Sequence, residues 1–134
     1  MEKRLKREGF YRNLFLAAAL YDFILGFSFF AFWHFIFDHI LRIPYTNYPA
    51  FYQAAAAFIF NMGIGFYFVY LNMYRNIDII KVGIFFKLFY TGLAFYYVFV
   101  KNMPWIFSVF GFLDLIFIVF FIFFLRAVRR EASA

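Results

Sequence analysis

The sequence predicts an all-α protein: a polytopic membrane protein folded as an antiparallel four-transmembrane-helix bundle, both termini cytoplasmic. Three observations carry that prediction. The 134 residues are 67% apolar and 30% aromatic, with 27 Phe and only 15% charged, more apolar surface than a soluble domain of this size could hide. Four apolar stretches are each long enough to cross a bilayer, which takes roughly 20 residues. The basic residues are distributed unevenly among the segments that join them.

The spans fall at about 13–37, 50–73, 80–100 and 104–125, and together they make residues 1–134 a single integral membrane domain. The breaks carry their own signals: "DHILRIPYTNYP" with Pro44 and Pro49, "YRNIDIIK" with Asn76 and Asp78, and "KNMP" with Pro104. The last break is so short that it demands a tight antiparallel hairpin. The opening "MEKRLKREGFYRNLFLAAALYD" has the basic start and small residues of a secretory signal. Its apolar run continues through Phe37, too long for a signal core, so a retained first helix is expected.

Orientation follows from Lys and Arg. Lys3, Arg4, Lys6, Arg7 and Arg12 precede the first span, Arg75 and Lys81 flank the second connection, and Arg126, Arg129 and Arg130 follow the last. Only Arg42 and Lys101 lie on the other side, and ten against two places both termini in the cytoplasm. Trp33, Tyr45, Tyr48, Tyr52 and Trp105 then gather at the outer interface, where amphipathic rings sit. The net charge of +6 therefore reads as membrane orientation and not as a nucleic-acid surface. The basic ends, "EKRLKRE" and "RAVRR", are expected to contact anionic lipid headgroups, at about 1 kcal/mol per residue near the surface.

Inside the spans, ionisable groups are costly, about 2.5–3.5 kcal/mol each on insertion scales, and they usually face the protein interior. Asp22 in the first span, Lys87 in the third and Asp114 in the fourth are of this kind, and Asn61 in the second adds an amide that wants partners. A rise of about 1.5 Å per residue from the nearest cytoplasmic basic residue puts Asp22 ~15 Å deep, Asp114 ~18 Å, Asn61 ~21 Å and the Lys87 backbone ~9 Å, with ~6 Å more from the Lys stem. All four could meet in one layer. Small residues support a shared seam: Ala54, Ala57 and Gly65 fall on the stripe of Asn61, Gly83 and Thr91 on that of Lys87, while Gly26 and Gly111 lie one turn from Asp22 and Asp114. The expectation is that Lys87 holds Asp114, with Asp22 and Asn61 completing a buried polar cluster for an ion, a proton or a ligand. The alternative is that Lys87 snorkels to the interface. Two carboxylates against one ammonium leave excess negative charge, which calls for a protonated Asp or a bound cation.

Other signals are weaker. His34, Asp38 and His39 in "HFIFDH" could supply two or three metal ligands, but the geometry of the adjacent pair is poor and interfacial polar residues are the simpler reading. There are no cysteines, so disulfides, thiolate metal sites and cysteine nucleophiles are excluded. No catalytic triad order, phosphate loop or Glu-x-x-His pattern occurs, and neither an enzymatic activity nor a cofactor is expected.

The motifs "GIGF" (Gly63 to Phe66), "GIFFK" (Gly83 to Lys87) and "FLDLIF" around Asp114 span about half the chain. This stretch resembles a loose family of small uncharacterised bacterial four-helix membrane proteins, with Gly-x-Gly-[Phe/Tyr] in helix 2, Gly-x-x-x-Lys in helix 3 and Asp in helix 4. The resemblance implies the four-helix architecture and the bacterial inner membrane, directs attention to Lys87 and Asp114, and transfers no activity. Three functions compete. The first is a non-enzymatic subunit or scaffold, acting as a homo-oligomer or with a membrane-protein partner. The second is an oligomeric proton- or ion-coupled transporter or channel using Asp22, Lys87 and Asp114. The third is a lipid- or quinone-binding protein, or an enzyme acting on such a ligand, using a cytoplasmic-half cavity lined by Tyr21, Tyr67 and Tyr90.

Overall fold

A computed structural model describes residues 6–44 and 47–133. Lys3, Arg4 and Tyr45, invoked above, lie outside them. The elements are α1 (Glu8–Ala31), a short α2 (Trp33–Phe35) that runs into a π-helical turn (Ile36–Leu41), α3 (Pro49–Leu71), α4 (Ile77–Lys101) and α5 (Ile106–Ser133). Four of them, α1, α3, α4 and α5, are long and apolar enough to cross a membrane. Only 22–28% of each apolar window is buried inside the protein, so most of the apolar surface faces outward and is at home only in lipid.

The first span differs from expectation. It was expected as one helix over 13–37, but α1 already starts at Glu8 and breaks at Phe32, whose φ of −118° and ψ of 27° leave the helical region. The turns beyond the break re-aim the chain so that Trp33, Ile36, Phe37 and Leu41 bury together, with Tyr52, Ile106 and Phe107 packed against them. That cluster caps one end of the molecule, and its burial outweighs the loss of straight helix geometry. At the other end α5 continues past the expected Leu125 to Ser133, because "RAVRREAS" is rich in good helix formers.

Side chains and special backbone conformations end the helices. Asn76 donates its amide to the carbonyls of Phe68 and Asn72, both at 2.9 Å, and so satisfies acceptors that the end of α3 leaves open. Asn102 adopts the left-handed region (φ 57°), and the Met103 N–H reaches back to the Tyr97 carbonyl at 3.0 Å. This six-residue closure, followed by Pro104, makes the tight hairpin between α4 and α5.

The helices associate as two close pairs, α1 with α3 and α4 with α5. The first pair is backbone against backbone. A Cβ added to Gly26 would lie 2.6 Å from the Phe60 nitrogen and 2.8 Å from the Ala56 oxygen; one on Gly63 would lie 3.0 Å from the Phe23 nitrogen. Gly26 meets residues near 58 while Gly63 meets residues near 21, so the two helices run antiparallel. In the second pair Gly111 lies under the Phe95 ring, where a Cβ would be 3.2 Å from the nearest ring atom.

Rings fill the space between the pairs. Phe15 stacks on Phe121 (5.1 Å between centroids) and meets Phe124 edge-on (5.2 Å), while Phe66 lies 5.2 Å from Phe121. Ala18, Ala19, Val69, Met73 and Ile80 complete this core. All four long helices contribute to it.

Candidate functional site

Each pair delivers ionisable groups to the interface between them. On α4 the buried face reads Ile80, Gly83, Lys87, Thr91, Ala94, steps of three and four that keep one stripe inward. On α5 it reads Gly111, Asp114, Ile118, Phe121, Phe124, and on α1 Phe15, Ala18, Ala19, Asp22, Gly26.

Lys87 lies at the centre. Its Nζ donates to Asp114 Oδ1 at 2.8 Å and lies 3.6 Å from Asp22 Oδ1. The three residues are 0%, 3% and 1% exposed in the order Lys87, Asp114, Asp22, which decides against a snorkelling lysine. Three rings close around the ammonium: Phe117, Tyr21 and Phe66, with centroids 5.0, 5.2 and 5.5 Å from Nζ. Their negative faces supply part of what water would give a cation. Gly83 leaves room for one of these rings, since a Cβ there would stand 2.5 Å from Phe66.

The satisfaction of the group is incomplete. The Tyr21 hydroxyl, Asp22 Oδ2 and Thr91 Oγ1 are buried without a hydrogen-bond partner among the described residues. Thr91 is one turn beyond Lys87 on the same face of α4. The arrangement therefore holds one tight ion pair, a second carboxylate with an open acceptor oxygen, and two hydroxyls able to donate. Chemically it can lock a lysine, or hold a proton or a small cation at Asp22.

Asn61 is not part of it. The amide sits exposed on α3, and Ala54 on its stripe is exposed as well. The buried stripe of α3 runs through Ala56, Gly63, Phe66 and Val69. Asn61 and Gly63 are two positions apart, about 200° around the helix, so packing through Gly63 turns Asn61 outward. α3 carries small residues on two faces, and the contact with Gly26 of α1 selects the other one.

His34, Asp38 and His39 are all exposed. His34 stacks on Trp33 at 3.6 Å and His39 lies 4.9 Å from the Phe35 ring. Among the described residues no group of three His, Cys, Asp or Glu gathers with metal-holding spacing. The cavity expected around Tyr21, Tyr67 and Tyr90 takes a different form. An apolar cleft of about 350 Å³ opens between α1 and α5, lined by Tyr21 with Leu25, Phe29, Ile36 and Phe110, whereas Tyr67 and Tyr90 do not line it and Tyr67 is exposed. The turns beyond the break at Phe32 bring Ile36, Ile40 and Leu41 to the lining of the cleft.

The site residue that the sequence left unmarked is Phe117, which falls one turn from Asp114 but has nothing to set it apart among 27 Phe; Phe66 stood out only as the last residue of "GIGF", with no role attached. Comparison with known protein families, characterised proteins and solved structures finds no match for this chain.

Proposed function

We propose that this chain is a small non-enzymatic membrane subunit or scaffold whose Lys87–Asp114–Asp22 group fixes how its two helix pairs dock. One observation carries the reading: the group is closed, with Lys87 at 0% exposure inside a wall of three rings. A site that passes ions or turns over substrate needs a path, whereas a register lock needs a dry, complementary contact. The companion of such a scaffold is a second copy or another membrane protein, seated in a bacterial inner membrane with both termini cytoplasmic. The basic asymmetry supports that orientation. In this cysteine-free chain, cysteines at Asn47 and Ala132 test it: an impermeant thiol reagent added to intact cells is expected to label only Asn47→Cys. Labelling of Ala132→Cys would reverse the topology.

A second reading, a proton- or cation-coupled transporter, is favoured by Asp22 Oδ2 and the Tyr21 and Thr91 hydroxyls, which are buried without a hydrogen-bond partner among the described residues. Flux in liposomes separates the two. The scaffold reading expects no proton or cation flux from the wild type or from a folded Lys87→Met/Asp114→Asn double variant. Flux present in the wild type and lost in that variant would overturn it in favour of transport.

A further inference from the structure

At the end of the molecule where α1 begins and α5 finishes, a cavity of about 370 Å³ is lined by Lys6, Arg7, Tyr11, Ala127, Arg130 and Glu131. Among the described residues, three cations line it against one carboxylate. They come from opposite ends of the chain, so no local sequence run explains their meeting. The packing of α1 on α5 brings them together: Tyr11 lies edge-on to Phe124 at 5.2 Å and Phe10 edge-on to Phe120 at 5.6 Å. Ser133 Oγ donates to the carbonyls of Arg129 and Arg130 at 3.0 and 3.2 Å and holds the last turn of α5 in helical form.

We propose that this cavity binds the phosphate of an anionic phospholipid of the phosphatidylglycerol class. The position fits a lipid, because the cavity lies directly beyond the ring layer of Phe15, Phe121 and Phe124 that fills the core. Below it, Phe10 and Phe123 are each 49% exposed and offer apolar surface for acyl chains. The chemistry fits a phosphodiester: two guanidinium forks match phosphate oxygens bidentately, Lys6 adds a point charge, and the Tyr11 phenol stands at the apolar edge. The charge count selects among lipids. A choline or ethanolamine ammonium would sit beside three cations with Glu131 as the one carboxylate among the described lining residues to receive it, whereas a glycerol headgroup brings no positive charge. A soluble phosphate has the same anionic chemistry but lacks the tails that hold a lipid at this depth.

Native mass spectrometry of the detergent-solubilised full chain, titrated separately with phosphatidylglycerol, phosphatidylcholine and sodium phosphate, tests the assignment. The wild type is expected to bind phosphatidylglycerol roughly tenfold or more tighter than phosphatidylcholine, and Arg7→Gln/Arg130→Gln to lose most of that preference. Arg75→Gln/Lys81→Gln removes equal charge at the α3–α4 connection and is expected to keep it. Arg7 and Arg130 are exposed, so melting temperatures in phosphatidylcholine should not change, and the single variants Arg7→Gln and Arg130→Gln repeat the comparison with half the perturbation. Equal losses in the two double variants would mean diffuse attraction and would overturn the site. Displacement of bound phosphatidylglycerol by equimolar sodium phosphate would overturn the lipid as its occupant.

Discussion

The contact between α1 and α3 and the contact between the two helix pairs solve the same problem by opposite means. Neither can rely on the hydrophobic effect, since lipid is as apolar as the side chains. At Gly26 and Gly63 the helices meet backbone to backbone, and geometry alone fixes the register: a shifted helix would put a Cβ where another main chain stands. Between the pairs, Phe15, Phe66, Phe121 and Phe124 fill the gap with broad, similar surfaces. Rings can slide over one another at little cost, so that interface needs something directional. Lys87 supplies it by joining Asp114 within its own pair to Asp22 across the gap. Close packing specifies the first contact by exclusion, and charge specifies the second by attraction.

Substitutions at the two contacts should therefore fail differently. The largest effect is expected from Gly26→Leu, whose side chain has only the main chain of Ala56–Phe60 to displace. It should prevent α1 and α3 from pairing, giving aggregated protein without a cooperative melting transition in detergent. A variant that melts like the wild type would show that the backbone contact is not what sets this pair.

Next come Lys87→Met and Asp114→Asn, each leaving an uncompensated buried group and each expected to destabilise by about 3–5 kcal/mol. The double variant should recover part of the loss, because it removes both partners of the tighter pair and leaves only Asp22 without its ammonium. Melting temperatures of the three variants check this coupling, and simple addition of the two losses would mean that Lys87 and Asp114 are not coupled within the α4–α5 pair.

Asp22→Asn removes the partner of Lys87 across the gap and is expected to destabilise by about 1–3 kcal/mol, less than Lys87→Met because Asp114 still holds the ammonium at 2.8 Å. Its melting temperature against that of Asp114→Asn measures how unequally the two carboxylates share the lysine. Smallest is Gly92→Ala. A Cβ there meets nothing within 4 Å, so the change should raise stability by up to about 1 kcal/mol through helix propensity alone. A large loss at Gly92 would reveal a close contact on that outer face.

The sequence by itself was enough to place four spans, because a bilayer imposes a length and an apolar composition that can be counted residue by residue. It was also enough to put Asp22, Lys87 and Asp114 in one layer, since depth along a helix is arithmetic at 1.5 Å per residue and a charge in lipid has few places to go. Rotation about each helix axis was another matter. The stripe of α4 through Gly83, Lys87 and Thr91 was legible because it carries the charge, and it is the face that is buried. The stripe of α3 was not, because "QAAAAFIFNMGIG" offers small residues on two faces and only the meeting of Gly63 with Ala19 and Phe23 turns Asn61 toward the outside. The break at Phe32 has no Pro or Gly to announce it; it exists because Trp33, Ile36, Phe37 and Leu41 find partners that lie far away in the chain. Composition and periodicity are properties of one segment, whereas the choice between two equally apolar faces depends on what another segment presents, and that was decided only when the helices met.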